Sequence, residues 1–179
     1  MAQVSELVPF IQKWEGGFSD HPLDKGGPTM KGITLGTFQW YRKSLGMPNP
    51  SVDDLKKISM EEWTAILKTL YWDAWQADKI SSQAIASILV DWAWGSGTIT
   101  SIKAFQNLTP ALTTDGIVGD KTLGYINNAT AESEVNLFNR IWDARKAFLD
   151  NIVKKNPSQQ VFYKGWMNRL NDIRKSFPV

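Results

Sequence analysis

The sequence contains no cysteine and a single histidine, His21. Without cysteine the chain forms no disulfide and offers no thiolate as a nucleophile or metal ligand, so its folding depends on packing and is indifferent to the redox state of its compartment. Asp20, His21 and Asp24 lie close together in the sequence, but one imidazole cannot complete a catalytic zinc site built mainly from histidines. We therefore predict no metal and no cofactor.

Long apolar runs are also absent. No stretch approaches the length needed to span a membrane, and Met1–Glu6 lacks the basic start and apolar segment of a secretory signal. The sequence therefore predicts no membrane insertion. If the protein works outside the cytoplasm, another route must export or release it.

The net charge of +2 is unevenly divided. Residues 1–94 carry 9 Lys or Arg and 11 Asp or Glu, whereas residues 95–179 carry 11 and 7. The second half is therefore the better candidate for contact with an anionic surface. The basic residues form no concentrated stripe or recognition motif, so we predict no nucleic-acid partner.

Helical periodicity accounts for most of the chain. Apolar residues recur at helical spacing in stretches that begin near Ser5, Thr34, Ser59, Gln83, Thr98, Asp120, Thr130 and Asn156. Residues 18–33 have no helical period and contain several turn formers. The sequence predicts an all-α chain with an irregular loop or short hairpin at 18–33, divided into residues 1–94 and a helical module of residues 95–179.

Several residues are placed to begin helices. Ser5 and Asp120 are predicted caps, and Ser59-Met60-Glu61-Glu62 has the form of a capping box. Asn156-Pro157 is typical of a cap followed by proline at the first helical position.

Glu15 stands where the first predicted helix ends, near the apolar Trp14 and Phe18. Unpaired carbonyls at a helix C-terminus and apolar neighbours both oppose ionisation of a carboxyl group. A carboxyl that keeps its proton near neutral pH suits a general acid that protonates a glycosidic oxygen. Asp20 and Asp24, in the more solvated loop, could orient water or stabilise an oxocarbenium ion. Two carboxylates in unlike surroundings are the minimal equipment of a glycosidase.

A purely structural interpretation fits the same residues. Glu15 could be a surface residue at a helix end, while Asp20 and Asp24 fold the loop through side-chain bonds to the backbone. Residue spacing alone leaves both interpretations open.

The stretch WEGGFSDHPLDKGGPTMKGIT, residues 14–34, resembles the opening motif of the peptidoglycan lysozymes of glycoside hydrolase family 108. In that family Glu-Gly-Gly-aromatic is followed by Asp-Pro, Asp-x-Gly-Gly-x-Thr and Gly-Ile-Thr. The similarity continues in YWDAWQADKI and LVDWAWGSG. FQNLTPALTTDGIVGDKTL and FYKGWMNRL are similar to the peptidoglycan-binding module usually appended to the family. The resemblance thus covers nearly the whole chain and implies a lysozyme-like fold.

The resemblance implies cleavage of the β-1,4 bond between N-acetylmuramic acid and N-acetylglucosamine, with Glu15 as general acid. On the same comparison, Asp24 is the first choice for the second carboxylate, and Asp20 is its rival. The comparison also implies that Thr29 helps to hold the attacking water. The residues expected to contact substrate are Trp14, Phe18, His21, Trp92 and Trp94.

Two positions depart from the family pattern. His21 intervenes where the family usually runs from Asp directly into Pro, and Trp94 stands near a position where relatives often carry Asn. Asp91, within an apolar helix, is interpreted as a structural carboxylate, because a buried carboxylate needs partners.

The segment DGIVGDKT in the second half is explained locally as a turn followed by a helix cap and requires no ligand. The resemblance alone suggests that this half binds the cell wall. The expected function is a muramidase, and the alternative is a non-catalytic wall-binding or secretion-assisting protein on the same scaffold. We expect a monomer whose partner is the glycan strand of peptidoglycan. It would be made in the cytoplasm and reach the wall as a phage or prophage lysin, or by another export route.

Overall fold

The computed structural model describes residues 1–20 and 27–179. The α-helices of these residues are α1 (Val4–Trp14), α2 (Leu35–Ser44), α3 (Val52–Lys56), α4 (Met60–Leu67), α5 (Gln83–Ser96), α6 (Thr98–Gln106), α7 (Asp120–Lys155) and α8 (Gln160–Ser176). The strands are β1 (Phe18–Ser19), β2 (Thr29–Met30) and β3 (Ile33–Thr34). A π-helical turn follows α4, and short 3-10 turns precede α5 and α8. The prediction of a mainly helical chain with a short hairpin is confirmed.

The chain divides into two compact units. One is formed by Val8–Thr69, and the other by Met1–Leu7 together with Leu70–Val179. The predicted domain boundary between residues 94 and 95 stays a prediction. None of the helices formed by residues 1–20 and 27–179 is long and apolar enough to cross a membrane.

The unit of Val8–Thr69 is organised around a three-stranded antiparallel sheet. β2 is the middle strand, with Phe18 opposite Met30, and Thr29 opposite both Ser19 and Thr34. Thr34 also serves as the N-cap of α2, because its hydroxyl accepts the backbone N–H of Thr37 at 3.1 Å. The sheet therefore leads directly into a helix.

Helix caps in this unit differ in part from those expected. Ser59 accepts the backbone N–H of Glu62, as in a capping box, but the Glu62 carboxylate instead takes two bonds of 3.0 Å from Arg42. A complete capping box is formed by Ser51 and Asp54, which the sequence analysis missed. Ser5 does not cap α1, because the helix already begins at Val4.

The second unit is built around α5, which is buried along most of its length. Its residues Ala84–Ala93 are all buried. Trp92 packs edge to face on Phe148, with ring centroids 5.9 Å apart, and Trp75 packs in the same way on Phe105 at 5.7 Å. Such aromatic pairs contribute beyond the area they bury. The apolar sequence of α5 therefore reflects a central position in this unit.

Asp91 ties α5 to α7 and α8. Its fully buried carboxylate accepts a bond of 2.7 Å from Arg145 on α7 and another of 2.7 Å from Arg169 on α8. Burial alone would raise the pKa of Asp91, but the charges and hydrogen bonds of Arg169 and Arg145 outweigh it and hold the pKa below its usual value. The structural interpretation of Asp91 agrees with these contacts.

The long helix α7 contains a break where two helices were expected. Ser133 has extended backbone angles, φ −164° and ψ 98°, and its hydroxyl accepts the backbone N–H of Asn136. The second helical segment therefore begins after Ser133 and not at Thr130. At the start of α7 the N-cap is Gly119, so the prediction that Asp120 caps the helix was wrong.

A buried glutamine organises the turn before α7. The Gln106 side chain, 1% exposed, donates to Asp115 and to the carbonyl of Ile117 and accepts the backbone N–H of Gly116, all at 2.9 Å. Asp115 in turn accepts the backbone N–H of Ile117 at 2.9 Å. These bonds account for the turn predicted in the DGIVGDKT segment, whereas the cap predicted at Asp120 is taken by Gly119.

Candidate active site

Glu15 follows the last residue of α1 directly. Its backbone N–H bonds to the carbonyl of Ile11 at 3.1 Å, so the chain is still in a helical turn when it reaches Glu15. The side chain is half-buried. Glu15 therefore occupies the helix C-terminus predicted for it, with Gly16-Gly17 separating it from β1.

The hairpin of β2 and β3 turns through Lys31 and Gly32. Both residues have positive φ, 49° and 81°, as a two-residue type I′ turn requires. This turn suits the right-handed twist of the strands, and glycine adopts its second position without strain. The turn places Gly32 at the tip of the hairpin.

The carboxyl group of Glu15 lies against this tip. A Cβ atom added to Gly32 would lie 2.5 Å from Glu15 Oε2 and 2.7 Å from Glu15 Cδ. No larger residue fits without moving the glutamate. The Glu15 carboxyl group therefore lies directly against the backbone of the hairpin tip, although the two residues are distant in sequence.

Trp63 supports the other side of the turn. It is fully buried in α4, and its indole Nε1 donates to the backbone carbonyl of Lys31 at 2.9 Å. This bond joins α4 to the hairpin tip that carries Gly32. No local sequence pattern predicts this contact of Trp63, because its partner is a backbone atom at a distant position.

The polar residues predicted around Glu15 have different surroundings. Thr29 lies half-buried in the middle strand and donates its hydroxyl proton to the carbonyl of Gly27 at 3.2 Å, which leaves the oxygen able to accept. Asp20 is exposed and follows β1 directly. Asp24 and His21 lie outside the described residues. The roles assigned to these four residues stay predictions.

The aromatic residues predicted to contact substrate fall into two groups. Trp14 is half-buried, and Phe18, 37% exposed, lies beneath the ammonium group of Lys56, whose Nζ is 4.6 Å from the ring centroid. Trp94 is half-buried against Tyr71 at 5.0 Å. These three side chains are accessible enough to meet a ligand.

Trp92 is the exception, because the structure places it in the core. It is fully buried in α5 and packs on Phe148. Its indole could stack on a sugar only if the core opened, so we withdraw it as a substrate-binding residue. Trp94 is partly accessible because it lies in the last turn of α5, beyond the continuous buried run of Ala84–Ala93 that contains Trp92.

The described residues of this region offer a carboxyl group for acid chemistry. Within residues 1–20 and 27–179, no group of three or more His, Cys, Asp or Glu side chains is arranged to hold a metal ion. What the site does present is the carboxyl group of Glu15 at a helix end, close to the tip of the β2–β3 hairpin, and the hydroxyl of Thr29 in β2 of the same hairpin. This arrangement suits proton transfer to a bound substrate.

Comparison with known families shows which family the chain belongs to. The family model described as Glycosyl hydrolase 108 matches residues 8–97, which include Glu15, the hairpin and Trp63. The chain belongs to the glycosyl hydrolase 108 family. A second model, described as Predicted Peptidoglycan domain, matches residues 83–171. This family 108 member is therefore a glycosidase that acts on peptidoglycan.

Solved structures agree with the family assignment. The chain is similar to the structure of Brucella abortus SagA, with a TM-score of 0.76 and 28% sequence identity over 96% of this chain and 91% of that chain. A search of curated proteins finds no match. The similarity to SagA extends over both family segments and so supports a lysozyme-like fold for the whole chain.

Proposed function

We propose that this family 108 glycosidase cleaves the β-1,4 bond between N-acetylmuramic acid and N-acetylglucosamine, with Glu15 as general acid. The observation that supports the proposal is the contact of the Glu15 carboxyl group with Gly32 at the hairpin tip. A general acid must lie within hydrogen-bonding distance of the leaving oxygen, and a carboxyl group confined by backbone needs little reorganisation to stay there.

In the proposed reaction Glu15 donates its proton to the glycosidic oxygen as the bond from that oxygen to the anomeric carbon breaks. Positive charge develops on the muramic acid ring, and an ionised aspartate stabilises it or orients the attacking water. Asp24 is our first choice for this aspartate, and Asp20 is the second. Thr29 helps to hold the water through its hydroxyl oxygen. Water completes the reaction and leaves a new reducing end.

The proposal is tested by comparing Glu15→Gln with Glu61→Gln on purified peptidoglycan. Glutamine keeps the shape of the side chain and cannot donate a carboxylic proton, so we expect Glu15→Gln to release reducing ends at least 100-fold more slowly, within the range of about 10²–10⁴ typical of general acid catalysis. Glu61 is exposed on α4 and serves as the control, with activity expected to be unchanged.

Three results would contradict the proposal. Full activity of Glu15→Gln would remove Glu15 as the acid. Binding of peptidoglycan by the wild-type protein without release of reducing ends would favour the non-catalytic wall-binding alternative. An anhydro sugar as product, in place of a reducing end, would replace hydrolysis by a transglycosylase reaction.

A further inference from the structure

A cavity of about 210 Å³ lies in the second unit, between the last turn of α5, the second segment of α7 and α8. It is remote in sequence from Glu15 and the hairpin, and the proposed reaction does not use it. None of the described residues that line it is acidic. The lining residues that matter are Gly95, Arg145, Leu149, Ile152, Trp166 and Arg169.

Arg145 brings unused hydrogen-bonding capacity to this cavity. Its side chain is 7% exposed, and its Nη1 donates to Asp91 Oδ2 at 2.7 Å. In the part of the chain that the structure describes, this is the only hydrogen bond of its guanidinium group, which has five N–H donors. Its Nη2 atom lies 3.9 Å from the position that a Cβ on Gly95 would take, at the cavity wall. The other N–H groups of Arg145 keep some contact with solvent, and at the cavity they can donate to a ligand that accepts.

The charges at the cavity favour an anionic ligand. Two of the residues that line it, Arg145 and Arg169, carry guanidinium groups, and none of the described lining residues is acidic. The planar donor fork of arginine matches the two oxygens of a carboxylate. A terminal carboxylate is therefore the group best suited to this end of the cavity.

Three of the other lining residues are apolar. Leu149, Ile152 and Trp166 contribute aliphatic and aromatic surface, and Trp166 stacks on the half-exposed Phe162 with ring centroids 6.1 Å apart. A cavity of about 210 Å³ lined in this way suits a carboxylate with one or two small apolar side chains.

We infer that this cavity binds the free carboxyl end of a short peptide with small apolar side chains, the chemical class of the stem peptides of peptidoglycan. The inference deepens the proposed function and rests on it for the identity of the polymer. It assigns the second unit a contact with peptide, separate from the glycan strand that Glu15 would cleave.

The test is calorimetric titration of the full chain with N-acetyl-D-Ala-D-Ala, with the same dipeptide as its C-terminal amide, and with a trimer of N-acetylglucosamine. We expect the acid to bind, the amide to bind at least tenfold more weakly, and the sugar to leave dipeptide binding unchanged. Equal binding of acid and amide would overturn the inference, as would absence of dipeptide binding or its displacement by the sugar.

Two helical glycines supply a matched pair of variants. Gly95→Leu adds a side chain at the cavity, where the only described side-chain atom within 4 Å of an added Cβ is Arg145 Nη2. Gly165→Leu adds the same side chain on α8, where no described atom lies within 4 Å of an added Cβ. We expect Gly95→Leu to weaken dipeptide binding at least tenfold and Gly165→Leu to change it less than twofold. Unchanged binding by Gly95→Leu, with its circular dichroism intact, would contradict the inference.

The outcome is separable from that of the proposed function. Glu15→Gln is expected to bind the dipeptide as the wild type does, because the cavity does not involve Glu15. Dipeptide binding without glycan cleavage would overturn the proposed function and leave the cavity assigned. Glycan cleavage without dipeptide binding would overturn only the cavity.

Discussion

A methyl group at position 32 would collide with the carboxyl group of Glu15. The added Cβ atom would lie 2.5 Å from Glu15 Oε2, which is closer than van der Waals distance. The backbone at position 32 also has φ 81°, a conformation that glycine adopts without strain. Two independent requirements, backbone conformation and side-chain space, therefore select glycine here. The second requirement links the hairpin to the proposed acid.

We predict that Gly32→Ala lowers the rate of peptidoglycan cleavage by about 10²-fold, because a displacement of about 1 Å in a catalytic group has an effect of this size. The left-handed conformation also costs about 1–2 kcal/mol of stability. Gly46→Ala is the matched control, since Gly46 has φ 69° and nothing within 4 Å of an added Cβ.

The two variants are expected to lose similar stability in urea denaturation, while only Gly32→Ala loses activity. Equal activities at a temperature where both are folded would mean that the position of Glu15 at the hairpin tip does not matter for catalysis.

Some features of the candidate site could be predicted from the sequence, and others could not. Glu15 at a helix end could be predicted, because an apolar stripe followed by Gly16-Gly17 marks a C-terminus locally. Its contact with Gly32 could not, since no local pattern indicates which side chain a turn glycine will meet. Trp92 was misassigned because a tryptophan in a helix carries the same sequence signal in the core as at the surface.

At the scale of elements, the errors concern which polar side chains cap each helix. Thr130 was expected to begin a helix, but its hydroxyl donates to the carbonyl of Ile126 within α7, and Ser133 provides the cap instead. Glu62 was expected to complete a capping box, but Arg42 takes both of its oxygens. Periodicity predicted that the helices exist, whereas the hydrogen-bond partners of their polar side chains depend on tertiary contacts.

The link between α4 and the hairpin can be tested by Trp63→Phe. Phenylalanine keeps an aromatic ring in the core but cannot donate to the carbonyl of Lys31, so we expect a loss of about 1–3 kcal/mol in stability. We also expect the rate of peptidoglycan cleavage to fall severalfold, because the hairpin tip that positions Glu15 loses its support.

Trp72→Phe is the matched control, because Trp72 is also fully buried and its indole donates to Asp78 at 2.7 Å in the other unit. Its stability should fall by a similar amount without a change in the rate of cleavage per folded molecule. A comparable loss of rate in both variants would show that Trp63 acts through stability alone.

At the scale of the whole molecule, the two family segments are not independent stretches of chain. The segments matched by the two family models share residues 83–97, a range that includes the whole of α5. Asp91 lies in this shared range, whereas Arg145 and Arg169 belong only to the second segment. Helix α5, at the end of the segment matched by the glycosyl hydrolase model, therefore forms ion pairs with arginines of the segment matched by the peptidoglycan model.

This arrangement predicts how stability depends on pH. Because the folded protein holds the pKa of Asp91 below its usual value, the ionised carboxylate stabilises the fold above about pH 4, and this stability is lost as pH falls through the folded pKa. We expect the free energy of unfolding of Asp91→Asn at pH 7 to be about 3–5 kcal/mol lower, because the buried guanidinium group of Arg145 loses its counterion and Arg169 loses an ion pair.

The measurement is urea denaturation of both proteins between pH 7 and pH 2. Other carboxylates, such as Asp115, contribute equally to both proteins and cancel in the difference. That difference should be constant above about pH 5 and shrink as Asp91 of the wild type takes up its proton, since the protonated acid is as neutral as asparagine. A difference that stays constant down to pH 2 would contradict the role of the Asp91 charge in holding α5 to α7 and α8.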